Sequence, residues 1–154
     1  YPGQHAAAAG ACATVLKAWF DEAQSFEELT ATARHPLTGH PVRAVAPGLQ
    51  PHGPPDGTGG CEHAPYTGDI SRLTVGGELN KLAANVALSR SMAGLHWRSD
   101  NTRGLRLGER VAIELLAEMA AAVHESPLRL AFTSFDRHVI EITKDGPRRD
   151  GTRG

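Results

Sequence analysis

SRSMAGLHWRSD, residues 89–100, closes a run of helical periodicity and crowds Arg90, His96, Arg98 and Asp100 among Met92, Ala93, Leu95 and Trp97. Taken one residue at a time, this is a solvated helix face with ion pairs. Taken as chemistry, it is more specific. His96 and Asp100 are spaced so that both can lie on one helical face, where the carboxylate accepts the imidazole Nδ1–H. That contact would fix the tautomer, leave Nε2 free as a nucleophile or ligand, and stabilise the charged ring. Arg90 lies about 120° from His96 around a straight helix, so it reaches the same pocket only if the helix ends near His96. Its planar fork suits phosphate-like oxygens, and Ser89 and Arg98 add donors.

Working outward, Leu79, Leu82, Val86, Ala87, Met92 and Ala93 mark the apolar face of a helix from Gly77 to about Trp97. DNTRG, Asp100 to Gly104, is expected to break it. A further helix is expected over Leu107–His124, with Val111, Leu115, Met119 and Val123 at successive four-residue steps. The Ala-rich row from His5 to Glu22 carries Ala8, Ala11, Val15, Leu16 and Phe20 at helical spacing, and Pro2-Gly3 leads into it. A short helix fits Phe26–Ala33. Met92, Met119, Trp19 and Trp97 read as packing groups. Beyond Pro127, LRLAFTSF and HVIEIT flank Asp136-Arg137 as a β-hairpin. The expected fold is mainly α, the C-terminal half of a helical bundle with a small C-terminal β-hairpin. Residues 1–145 form its domain, with a long loop over 34–75 and a disordered tail over 146–154.

The chain has 154 residues, 40% hydrophobic and only 5% aromatic, so its core must come from Ala, Leu, Val and Ile. A net charge of −1 argues against a general nucleic-acid binder while allowing a local anion site. No run is long and apolar enough for a membrane span, and no secretory leader opens the sequence. The reading is a soluble protein, with a secreted or cytoplasmic parent left open. The start at Tyr1 reads as a C-terminal fragment or processed product. Cys12 and Cys61 read as unpaired thiols. Six of the ten prolines fall between Pro36 and Pro55, and GPPDGTGG is a loop signature; so long a loop suggests a functional excursion or mobile segment. It carries His35, His40, His52 and Cys61-Glu62-His63, whose spacing fits no standard zinc pattern. His124 and His138 read as surface residues.

YPGQHA, at the other end, supplies a complement. Backbone N–H groups at Gly3 and Gln4, at a helix start, can cradle an anion, and His5 in the first turn can act as general acid or base. A cradle, a clamp, a nucleophile with its orienting acid and a proton donor suit phosphoryl transfer or the holding of a phosphate-like oxyanion.

SRSMAGLHWRSD matches in full the Ser-Arg, five residues, His, three residues, Asp motif of the type 2 phosphatidic acid phosphatase superfamily. GLHWRSD followed by GLRLGERVA especially resembles its vanadium-dependent haloperoxidase branch. YPGQHAAAAGA resembles that family's Pro-Ser-Gly-His-Ala motif, with Gly3 in place of its Ser and Gln4 in place of its Gly. FTSFDRHVIEI resembles a hairpin near the C-terminus of bacterial relatives. The resemblance implies that His96 is bonded to vanadate, or is phosphorylated in a phosphatase. It implies that Arg90 contacts the equatorial oxygens, that His5 is the acid–base group near the apical oxygen, and that Asp100 orients His96. It also implies an upstream Lys and Arg, which would lie before residue 1. Losing two such ligands costs several kcal/mol, at roughly 1.5–3 kcal/mol per charged hydrogen bond. The implied cofactor is vanadate, or phosphate in the same site. The implied substrates are halide and hydrogen peroxide, or a phosphate ester. Three readings stay open: a haloperoxidase-like protein incomplete as this chain, a phosphatase with a phospho-His96 intermediate, or a non-catalytic helical remnant. In the last, apolar faces pair with missing N-terminal helices or a second copy.

Overall fold

Glycines set the distance between the two helices that matter most. The computed structural model describes residues 1–34, 36–37, 39–40, 50–51, 61–62 and 66–152. Its helices are α1 (Gln4–Trp19), α2 (Phe26–Thr32), α3 (Val75–Met92) and α4 (Arg98–Ala122); its strands are β1 (Gln50–Pro51), β2 (Cys61–Glu62), β3 (Leu130–Thr133), β4 (His138–Thr143) and β5 (Gly146–Thr152). Two units divide the chain, Tyr1–Glu22 with Val75–Gly154, and Ala23–Thr74. In the first unit, α1 lies against α4. A Cβ on Gly108 would overlap the Ala7 carbonyl oxygen and sit 2.6 Å from Ala11 N, and one on Gly104 would sit 2.7 Å from the Gly3 carbonyl oxygen. Gly10 meets the Leu105 backbone in the same way. The buried stripe of α4 runs Asp100, Gly104, Gly108, Ala112, Leu116 and Ala120; that of α1 includes Ala6, Gly10, Ala13 and Lys17. Both follow helical periodicity, with small residues inside.

The bulky stripes read from the sequence face outward instead. Val111 is 57% exposed, Leu115 52% and Met119 40%. Met92 is 89% exposed, Trp97 81% and Trp19 62%, so the expected packing role of these residues is corrected. Close approach of backbones wins over the larger side chains, because Gly and Ala rows let the helices interlock while a Leu or Met row cannot fit the same gap. Val111→Lys with Leu115→Glu is therefore expected to shift stability by no more than about 0.5 kcal/mol, as for ordinary surface positions. Dye binding to exposed apolar surface should fall at the same time; a collapse of the thermal midpoint would place these residues in a core.

The C-terminal sheet is antiparallel, in the order β3-β4-β5. Leu130 pairs with Ile142 and Phe132 with Ile140, so their side chains share one face by the two-residue period of a strand. That face joins Ala18, Leu116 and Ala120 in the core. The hairpin around Asp136-Arg137 forms where expected, and Arg137 takes a φ of 63° at its turn. Residues 146–152, expected as part of a disordered tail, pair with β4 as a third strand. Gly146, with φ 102°, supplies the left-handed backbone that reverses the chain after Thr143.

In the second unit, Ser25 caps α2 in a reciprocal box with Glu28. The Phe26 N–H donates to the Leu73 carbonyl at 2.7 Å, and β1 pairs antiparallel with β2. His35, His52, His63 and most of the expected loop lie outside the described residues. Among the described residues, no group of three or more His, Cys, Asp or Glu could hold a metal ion, and no helix is long and apolar enough to cross a membrane.

Candidate functional site

The helix that enters SRSMAGLHWRSD stops at Met92, and its stop is built from the backbone. Gly94 has a φ of 72°. The Leu95 N–H donates to the Arg90 carbonyl at 2.9 Å and the Gly94 N–H to Ser91 at 3.0 Å. This pair of bonds is a Schellman termination, which satisfies carbonyls that α3 would otherwise leave open. After a short turn, Trp97 becomes the cap of α4. Asp100, three residues on, folds its carboxylate back to accept the Trp97 N–H at 3.1 Å. DNTRG is thus the first part of α4, and the expected break lies earlier, at Ala93–Trp97, because Gly94 is the residue that tolerates the reversal.

His96 sits in that turn, off either helix. Its Nδ1 lies 3.4 Å from Asp100 Oδ2, with both side chains largely shielded. The expected pair is formed, though by a capping carboxylate reaching back to the turn, and not along one continuous helix face. The Trp97 N–H, and after it His96, hold the Asp100 carboxyl below its ordinary range, against the opposing effect of burial. Asp100 thus stays ionised as a partner for an imidazole N–H.

Asp100 also ties down the other motif. Its carbonyl accepts the Gly3 N–H at 3.1 Å, so the start of α1 is fastened to the first turn of α4. Next to it, Asn101 Nδ2 donates to Ser91 Oγ at 2.7 Å, and Ser91 Oγ donates to the His96 carbonyl at 2.9 Å. Beside the imidazole, a cleft of about 470 Å³ is lined by Leu88, Ser91, Leu95, His96, Trp97 and Arg98.

Against curated proteins, 142 residues of the chain are 35% identical to a vanadium-dependent bromoperoxidase of Corallina pilulifera, over 92% of this chain and 19% of the relative. The corresponding figures for the enzyme of Corallina officinalis are 34%, 92% and 19%. A vanadium-dependent bromoperoxidase of Ascophyllum nodosum is 43% identical over 77 residues, 49% of this chain and 14% of the relative. The chain belongs to the vanadium haloperoxidase family. It spans about a fifth of the length of the Corallina relatives. No family model matches it.

The chain brings together some of the residues its sequence nominates and not others. His96, Asp100 and Gly3 are joined by the contacts above. Arg90 is in the last turn of α3, and its Nε is shielded from solvent with no hydrogen-bond partner. Gln4 and His5 are exposed in the first turn of α1. His5 lines an apolar groove of about 300 Å³ with Cys12, Leu16, Leu79, Leu82 and Val86. Among the described residues, no hydrogen bond joins His5 or Arg90 to His96. Sequence reasoning missed Ser91 and Asn101. Nothing in their spacing marks them, because their bonds depend on where α3 stops.

Gly3 caps α1 without a side-chain bond. A Cβ there would meet Asn101 Oδ1 at 3.5 Å and the Asp100 carbonyl oxygen at 3.6 Å, ordinary contacts. That Oδ1 is buried and without a partner. Gly3→Ser is accordingly expected to raise stability by about 1 kcal/mol, from lower unfolded-state entropy and a new hydroxyl donor. A urea midpoint lower than wild type would mean that the hydroxyl finds no acceptor.

Proposed function

We propose that the chain carries the His96 part of a vanadate-dependent haloperoxidase site, which oxidises halide with hydrogen peroxide. The observation that supports this most is the His96–Asp100 pair at 3.4 Å, standing at the junction of the two motifs. With an Nδ1–H facing Asp100, the Nε2 lone pair would be free for a ligand bond. The donor set suits an oxyanion: an imidazole, a guanidinium with a shielded and unpartnered Nε, and the open start of a helix. His96 would hold the vanadium, and Arg90 would bind oxygens of the vanadate. The Gly3 N–H is taken by Asp100, so the cradle at the start of α1 passes to the N–H groups from Gln4 onward. His5 would exchange a proton with the bound oxyanion. When bound, vanadate supplies the Lewis acid that activates peroxide. The bulky faces left open on α3 and α4 would be covered by further helices of the parent protein or by a second copy.

Orthovanadate titration of the full chain, followed by vanadium NMR, tests this. Binding should vanish in His96→Ala and weaken about 10- to 100-fold in Arg90→Ala, the range for one charge-assisted hydrogen bond. Bromination of an added organic acceptor should then require both vanadate and peroxide. Absence of vanadate binding at millimolar concentration, with release of phosphate from an aryl phosphate through a phospho-His96, would replace this reading with the phosphatase one. Absence of both would leave the helical remnant.

A further inference from the structure

We infer that Ser91 and Asn101 are positioning residues for His96, an inference that rests on the haloperoxidase reading of that histidine. Asn101 is 3% exposed, and its Nδ2 donates to Ser91 Oγ at 2.7 Å. Ser91 Oγ donates onward to the His96 carbonyl at 2.9 Å. The directions are forced. A carbonyl only accepts, so the single hydroxyl proton of Ser91 goes to His96. Whatever approaches Ser91 Oγ from the other side must donate, so the amide nitrogen of Asn101 faces Ser91 and its oxygen faces away. That oxygen is the one left buried without a partner. An orphaned acceptor in a buried position is costly, and here it is the consequence of ordering the relay.

The relay holds the backbone of residue 96, while the Asp100 carboxylate holds the ring. Both tethers start from adjacent residues in the first turn of α4, so backbone and ring are referred to one rigid element. The contact between ring and carboxylate, 3.4 Å, is long for a hydrogen bond, so it has little to spare if the backbone of residue 96 shifts. Without the relay that backbone loses its tether to α4, and the Nδ1–H tautomer that leaves Nε2 free loses its support.

The tautomer is the readout, because stability alone cannot distinguish positioning from packing. Long-range proton–nitrogen NMR on the full chain with isotope-labelled histidine reports it, with His96 assigned from its loss in His96→Gln. At a pH where the ring is neutral, wild type and Ser91→Thr, which keeps the hydroxyl, should show the Nδ1–H form. Asn101→Asp is nearly isosteric but presents an acceptor, which draws the Ser91 proton off the His96 carbonyl. It and Ser91→Ala should move most of the ring to the Nε2–H form and weaken orthovanadate binding about tenfold. If Asn101→Asp does not fold, Ser91→Ala decides, since it removes one oxygen from a half-buried position. A folded Ser91→Ala with the wild-type tautomer, or a wild-type ring already in the Nε2–H form, overturns the inference. If wild type binds no vanadate, the haloperoxidase reading fails, and the tautomer comparison still decides the relay.

Discussion

Gly108→Ala is expected to destabilise the protein by about 3 kcal/mol, at the upper end for overpacking, because the obstacle is backbone. The added methyl would overlap the Ala7 carbonyl oxygen and stand 2.6 Å from Ala11 N, neither of which can rotate away. The sign makes the test informative. In an exposed helix interior, Gly→Ala gains about 1 kcal/mol from helix propensity. A loss therefore reports the contact between helices, and a gain would mean that α1 and α4 do not touch there. The consequence for the site is geometric. Gly10, Gly104 and Gly108 set how far α1 stands from α4, and the Gly3 N–H reaches the Asp100 carbonyl only at that distance. Prising the helices apart should release the start of α1 from the turn that carries His96, and reduce vanadate affinity in protein that is still folded. Leu107→Ala, at a half-exposed neighbour, should do neither. Urea unfolding and vanadate titration on the two variants measure both effects.

Much of this architecture was legible in the sequence, and each of its failures has a physical cause. Helical periodicity located α1, α3 and most of α4, and alternation located β3 and β4. The exchange of faces came from ranking side chains by size. Val111, Leu115 and Met119 look like a core stripe until Gly104, Gly108 and Ala112 are seen to lie against α1. Small-residue stripes are weak signals in one dimension, since their value appears only when a second backbone approaches. The site was read in the same proportion. Covalent spacing brings His96 and Asp100 within reach of each other, so their pairing could be foreseen. The helix boundary could not, because DNTRG looks like a breaker and Gly94 looks like any small residue; its φ of 72° separates them. Ser91 and Asn101 become partners only once the chain turns between them. The third strand was missed for a different reason: the charges of Arg148 and Arg149 suggested solvation, while Asp145-Gly146 already carried a reversal signal.

Lys17→Met is expected to lose about 3 kcal/mol near neutral pH, because it strips a buried carboxylate of its nearby cation and leaves a backbone carbonyl without its donor. Lys17 is fully buried in α1. Its Nζ donates to the Thr133 carbonyl at 2.7 Å and lies 4.5 Å from the centre of the Phe135 ring. Two carboxylates answer it from the same region. Glu22 accepts the Thr133 N–H at 2.8 Å, and Glu109 accepts the Phe135 N–H at 2.8 Å. These bonds dock the end of β3 and its turn onto α1 and α4. Burial pushes the Lys17 ammonium down from its ordinary value, with Glu109 and Glu22 opposing. Burial also pushes the Glu109 carboxyl up, with the Phe135 N–H and Lys17 opposing. Each charge therefore offsets part of the burial cost of the other. Glu109 binds its proton more tightly folded than unfolded, so its contribution is complete below its ordinary value of 4.5 and is lost as pH rises through the raised one. For Lys17 the contribution is complete above 10.5 and is lost as pH falls through the lowered value. Removing Lys17 takes away the cation that favours the ionised form of Glu109 and pushes that carboxyl higher still. The deficit of Lys17→Met relative to wild type should thus be smallest near about pH 4 and grow toward about pH 8, as Glu109 is forced to ionise without a partner. Lys17→Met with Glu109→Gln should recover much of the loss at the higher pH. Urea midpoints across this range measure the effect, and a deficit that does not change with pH would reduce Lys17 to a packing role.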